Sequence, residues 1–165
     1  MALLTIRTYP DEILKKQCEE VLHVGDDERR LIDDMFETMV QNQGVGLAAP
    51  QVGVLKNIIV AAPEGPDKEL YAFINPVITK KKGEFVDIEG CLSVPCSSAE
   101  VTRARKVWVE ALDKKGKRIT ITVSDLFARI IQHEGDHLKG ILFIDYLGFQ
   151  ARKEIIDCAR KVKKL

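Results

Sequence analysis

No apolar run in this 165-residue sequence approaches the length needed to span a bilayer. The opening MALLTIRTYPDEILKKQ is too short in its apolar part and too acidic for a signal peptide, so a cytoplasmic protein without a membrane partner is expected. Excess charge is missing as well. Lys plus Arg and Asp plus Glu number 25 each, which leaves no overall field to draw the chain toward nucleic acid or anionic lipid. No specific nucleic-acid recognition follows from such a balance, and small partners are the better expectation. The four cysteines, Cys18, Cys91, Cys96 and Cys158, lack the dense even spacing of a disulfide framework, and a reducing compartment would keep them as thiols. Their chemistry is then that of ligands or nucleophiles. Repeats, low-complexity blocks and long Gly/Ser or Pro linkers are also absent, so residues 1–165 read as a single domain.

What is present is 45% hydrophobic and 30% charged residues, enough for one domain with a proper core. DERRLIDDMFETMVQN, residues 27–42, sets Leu31, Ile32, Met35, Phe36, Met39 and Val40 at helical spacing with acids early, and Gly44 is expected to end the helix. From about 57 to 123 the pattern changes to short β-rich runs, NIIVAA, LYAFINP, EVTRARKVWVEAL and KRITITV, the last two reading as a hairpin. Ser124 then stands as N-cap of a helix DLFARIIQHEGDHL, with Leu126, Phe127, Ile130 and Ile131 expected on one side with two histidines. A last helix covers about 149–163. Helices segregated around antiparallel or mixed sheets make the fold α+β, with the histidine-bearing helix at its centre.

The chain holds only three histidines, and two of them lie in QHEGDH. On a helix, His133 and His137 stack one turn apart and aim at one point, while Glu134 sits beside that point without occupying it. This is the HExxH arrangement of a divalent metal with glutamate as general base. The plainer alternative, two core or capping histidines and a solvated glutamate, suits a lone histidine better than this pair.

Two histidines leave a catalytic site one protein ligand short. Downstream of His137 there is no further histidine, only the carboxylates Asp145, Glu154 and Asp157. Upstream, DIEGCLSVP holds Cys91 after a probable strand, where Gly90 lets backbone approach a ligand, and a thiolate there suits iron(II) or zinc. A free cysteine is more often a small packed apolar group, and that reading applies to Cys18, Cys96 and Cys158. In GVGLAAPQ, residues 44–51, two glycines and two alanines suggest a tight loop that something approaches closely. Gln51 at its end has an amide able to donate to a developing oxyanion.

Together these three stretches resemble the peptide deformylase family, whose motifs read GxGLAAxQ, EGCLS and QHExDHLxG. Here they stand complete and in order as Gly44 to Gln51, Glu89 to Ser93 and Gln132 to Gly140. The PDEIL opening and the LFIDYL segment extend the resemblance over most of the chain, in the compact bacterial or organellar form. The resemblance implies a hydrolase of protein biosynthesis that removes the formyl group from N-terminal formylmethionine of nascent polypeptides, releasing formate. It implies iron(II), replaceable by zinc, nickel or cobalt, on Cys91, His133, His137 and a water that attacks the formyl carbon, with Glu134 moving the proton. Gln51 and the Leu92 backbone N–H are implied as oxyanion partners. Val45, Gly46 and Gly90 are implied along the substrate backbone, and Leu126 and Ile130 beside the methionine pocket.

The chain departs from the family in two places. Ser97 and Ser98 stand where many bacterial relatives carry a peptide-holding arginine, and nearby Arg103 matches a different, structural arginine. Cys96 close behind Cys91 is unusual for the motif and is expected to be packing or a redox-prone bystander. An HExxH peptidase cutting internal amides shares the base but normally lacks a cysteine ligand. A structural metal site needs a closing fourth ligand and no base. The C-terminal FQARKEIIDCARKVKKL is basic, with Ile155, Ile156, Ala159 and Val162 available to pack inward. Such a run usually forms a solvated helix face, but beside a substrate that emerges from the ribosome it suggests weak, salt-sensitive ribosome binding.

Overall fold

Helix α1, Asp26–Gln41, buries Ile32, Met35 and Met39 on one stripe, as its apolar spacing requires. The Glu28 carboxylate accepts from the Gly25 N–H at its start. Gln43, not Gly44, takes the left-handed turn at its end (φ 57), and Gly44 N–H donates to Met39 O at 2.9 Å. The computed structural model describes residues 2–163.

Five strands, β1 (Gly46–Ala48), β2 (Ile58–Ala61), β3 (Tyr71–Lys82), β6 (Lys106–Leu112) and β7 (Arg118–Ser124), form one sheet in the order β1-β2-β3-β6-β7. A separate two-stranded sheet pairs β4 (Phe85–Cys91) with β5 (Val94–Arg103), and every neighbouring pair is antiparallel. The architecture is α+β, as the segregation of helical and β-rich segments led one to expect. The NIIVAA run is continuously apolar because β2 is covered on both faces. Ile58 and Val60 join the α1 core, while Ile59 and Ala61 join the core of helix α2, Asp125–His137.

Two segments differ from the sequence reading in a way that shapes the site. GVGLAAPQ is not an open loop but strand β1 followed by a 3-10 turn, Ala49–Val52. EVTRARKVWVEAL is not one strand. It divides at Ala104–Arg105 into β5 of the small sheet and β6 of the large one, and period-2 alternation carries no information about which sheet a residue joins. Gln132 pins this corner, accepting from Ala104 N–H at 3.0 Å and donating to Ala104 O at 2.9 Å. The expected hairpin survives as β6–β7.

Helix α3, Phe149–Lys163, packs on β5 with Ile155 and Ala159 buried beside Val94, Val101 and Phe143. Val162 is exposed instead of inward, and Lys164 lies outside the described residues. That packing also overturns the reading of Cys96 and Cys158 as separate packed thiols. They form a disulfide, with Cα atoms 6.6 Å apart across 62 residues of sequence. Spacing cannot show such a pair, because only the docking of α3 on β5 brings the two together. Cys18 and Cys91 are free.

Candidate active site

The centre of the molecule is α2, and its burial on nearly every side explains its composition. Ser124 occupies the N-cap position, although its side chain makes no capping hydrogen bond. Phe127, Ile130 and Ile131 join one core cluster as expected, whereas Leu126 is exposed outside it. Phe127 turns to the large sheet, its ring 4.8 Å from that of Tyr71, while Leu126 and Ile130 border a cavity of about 340 Å³. One turn on, the same helix places His133 and His137 with ring centroids 5.1 Å apart.

Cys91 arrives from the end of β4. Its Sγ lies 3.4 Å from His137 Nε2, and one ligand atom from each of Cys91, His133 and His137 falls within 4.8 Å of the other two. Among the described residues this is the only cluster of three or more His, Cys, Asp or Glu side chains able to hold a metal ion. His133 reaches it with Nε2, because Nδ1 donates to Glu89 Oε2 at 2.8 Å. Burial opposes a charge on His133, yet the neighbouring Cys91 and Glu89 and the charge of Glu134 outweigh it and push the imidazole well above its ordinary range. The surroundings favour positive charge at this point, which a metal ion on Nε2 would supply in place of a second ring proton. His137 goes the other way, pushed down by burial and by His133, which keeps its ring a neutral donor. Its Nδ1 and the Glu134 Oε2 are buried without a hydrogen-bond partner. A thiolate with two imidazoles is a donor set for iron(II) or zinc rather than for magnesium or calcium, so the residues fit a soft divalent ion.

Glu134 lies beside these ligands and lines the cavity. Burial raises its carboxyl to about 7, the range of a group that takes and returns protons near neutrality. Gly46 makes room for it. A Cβ there would sit 2.6 Å from Glu134 Oε1 and 2.8 Å from Ile130 Cγ2, so what approaches this backbone closely is the chain's own carboxylate. Gly90 is different: a Cβ would meet only Ser97 O, at 3.7 Å.

Gln51, 1% exposed, accepts from Ala48 N–H through Oε1 at 2.8 Å, which turns its NH₂ toward Cys91 Sγ at 3.5 Å and Ser93 Oγ at 3.1 Å. Val45, Gly46, Gly90 and Leu92 line the same cavity as Leu126 and Ile130. The residues that the resemblance implies for base, oxyanion and substrate contacts thus line one cavity together with Cys91 and His133, and His137 joins those two from the same helix.

Sequence reading named Arg103 as structural but missed Arg129 and the contact of Glu89 with His133. Glu89 is held by Arg103 (Nε–Oε1 2.8 Å, Nη2–Oε2 3.0 Å) and by Arg129 (Nη1–Oε1 2.5 Å). Burial would raise Glu89, but Arg103 and His133 hold it down at about 2. Arg103 also donates to Asp136 Oδ2 at 2.6 Å, so it is a buried structural arginine rather than a hand for peptide. One signal was present: Glu89 stands two positions before Cys91 in the same short stretch.

Comparison with known proteins gives a consistent picture. A family model described as "Polypeptide deformylase" matches residues 3–153. A peptide deformylase of Thermodesulfovibrio yellowstonii is 46% identical over 166 aligned positions, covering 99% of this chain and 100% of its own. Peptide deformylase 1 of Clostridium acetobutylicum is 50% identical over 148, covering 89% and 96%. The crystal structure of a peptide deformylase from Legionella pneumophila superposes with a TM-score of 0.96 at 42% identity, covering 99% of this chain and 96% of that one.

Proposed function

The chain belongs to the peptide deformylase family, hydrolases that remove the N-terminal formyl group from nascent peptides, and on that premise we propose how its residues divide the work. Cys91, His133 and His137 hold a divalent metal, iron(II) by preference, with zinc, nickel or cobalt as substitutes. The convergence of these three donors within 4.8 Å, beside a buried Glu134, is the observation that carries the reading. Bound there, the metal supplies Lewis acidity toward water and toward a carbonyl oxygen.

Glu134 is the general base, taking a proton from water as it adds to the formyl carbon. The same carboxyl then delivers that proton to the departing amine, so the C–N bond breaks to leave formate and a free N-terminus. Negative charge on the former carbonyl oxygen is met by the Gln51 amide, which Ala48 and Ser93 hold in orientation, and by the Leu92 N–H. Leu126 and Ile130 form the apolar wall for the methionine side chain, and Val45, Gly46 and Gly90 flank the peptide backbone.

The expected partner beyond the peptide is the ribosome, bound weakly through the basic face of α3, where Lys153, Arg160 and Lys161 are exposed. A cytoplasmic location, with a single catalytic domain over residues 1–165, completes the reading; no helix among the described residues is long and apolar enough to cross a membrane. The test is formate release from a formyl-Met peptide by anaerobically iron-loaded protein, run beside casein. Formate without casein cleavage is expected. A folded, metal-loaded protein that releases no formate overturns the assignment.

A further inference from the structure

Arg129 stands one turn before His133 on α2 and is 4% exposed. Its guanidinium touches three features of the β4–β5 hairpin. Nη1 donates to Glu89 Oε1 at 2.5 Å, Nη2 donates to Val101 O at 3.1 Å, and the planar group lies 4.5 Å from the centroid of the Phe85 ring. Its Nε is buried without a partner. Burying a cation costs free energy, and Glu89 already has a bidentate arginine, Arg103, together with His133. The charge of Glu89 does not call for a second guanidinium.

The connectivity does. Arg103 is on β5, so its bonds to Glu89 lie within the hairpin, and it reaches α2 only through Asp136. From α2, Arg129 and His133 are the side chains that bond Glu89 directly. The hairpin carries Cys91 and the helix carries both histidines, so the three ligand atoms meet only if these two pieces keep a fixed relation. We propose that Arg129 is a positioning residue of the metal centre: clamping Glu89, Val101 and Phe85 from the helix, it fixes the His133 ring and sets Cys91 against the two histidines. This rests on the reading of Cys91, His133 and His137 as the metal ligands. Outer partners of ligands typically contribute ten- to a hundredfold, roughly, to metal affinity.

The experiment compares wild type, Arg129→Met and Arg129→Lys, each loaded with zinc for affinity by chelator competition and with cobalt(II) for its visible absorption spectrum. Arg129→Met should weaken zinc binding roughly tenfold or more and change the cobalt bands, with kcat falling more than KM changes. Arg129→Lys, which keeps a cation facing Glu89 but loses the bond to Val101 O and the stack on Phe85, should recover part of the affinity. Wild-type affinity and an unchanged cobalt spectrum in Arg129→Met overturn the proposal, even if its melting temperature drops, because the residue then serves packing alone. A loss in Arg129→Lys as large as in Arg129→Met also overturns it. If Arg129→Met does not fold, Arg129→Gln replaces it, and an unchanged cobalt spectrum there decides against the proposal. Failure of the wild type itself to bind zinc is a separate result, which removes the three-ligand reading instead.

Discussion

Glu89 Oε2 lies 2.8 Å from His133 Nδ1, and this one contact determines which nitrogen of the ring faces Cys91. A carboxylate accepts, so Nδ1 carries the proton and Nε2 is left as the donor. Glu89 in turn is fixed by two arginines, one from β5 and one from α2, which makes the ring's orientation a property of the fold rather than of a bound ion.

Cys91→Ala removes the soft anionic donor from the centre. Most bound metal and activity should be lost together, and in the wild type air should inactivate the iron form faster than the nickel or zinc form. Elemental analysis beside the rate checks this; full metal retention in Cys91→Ala moves the third ligand elsewhere.

Glu134→Ala separates the proposed base from the proposed ligands. Metal content should stay near wild type while kcat falls by about a hundredfold or more, as loss of a positioned general base does. Near wild-type turnover in the metal-loaded variant would falsify its role.

Gly46→Ala tests the close approach of carboxylate and strand. Glu134 Oε1 and Ile130 Cγ2 would lie 2.6 and 2.8 Å from the new methyl, so both must move. Overpacking of this kind costs about 1–3 kcal/mol, read as a lower denaturation midpoint. Because the displaced group is the proposed base, kcat should drop more than stability alone explains.

Acid sensitivity should involve the start of α1. The Glu28 carboxyl is held down at about 2 by Lys56, 2.7 Å away, and by the Gly25 N–H. With the folded value depressed from 4.5, its contribution to stability is complete above about 4.5 and disappears as pH falls from there toward about 2. Glu28→Gln should therefore be less stable than wild type near neutrality and converge with it in acid. Parallel denaturation curves across that window would contradict this.

Charge reversal at the C-terminus addresses the ribosome. Replacing Lys161, Lys163 and Lys164 by glutamate should abolish co-sedimentation at low salt and leave turnover of a free formyl-Met peptide nearly unchanged. Equal co-sedimentation returns the segment to an ordinary solvated helix.

Local pattern alone was enough for α1, α2, α3 and the β6–β7 hairpin, because apolar spacing, caps and turn residues act within a few positions of one another. It was enough for His133, Glu134 and His137 too, since one helix sets their geometry. What joined them was decided by tertiary structure. Cys91 meets the histidines 42 and 46 positions later only because the hairpin docks on α2. The same docking brings Arg129 to Glu89, and the packing of α3 on β5 makes a disulfide of Cys96 and Cys158. These pairings are long-range, and the period of a strand or helix carries no term for them: it says which face a side chain takes, never which partner that face will find.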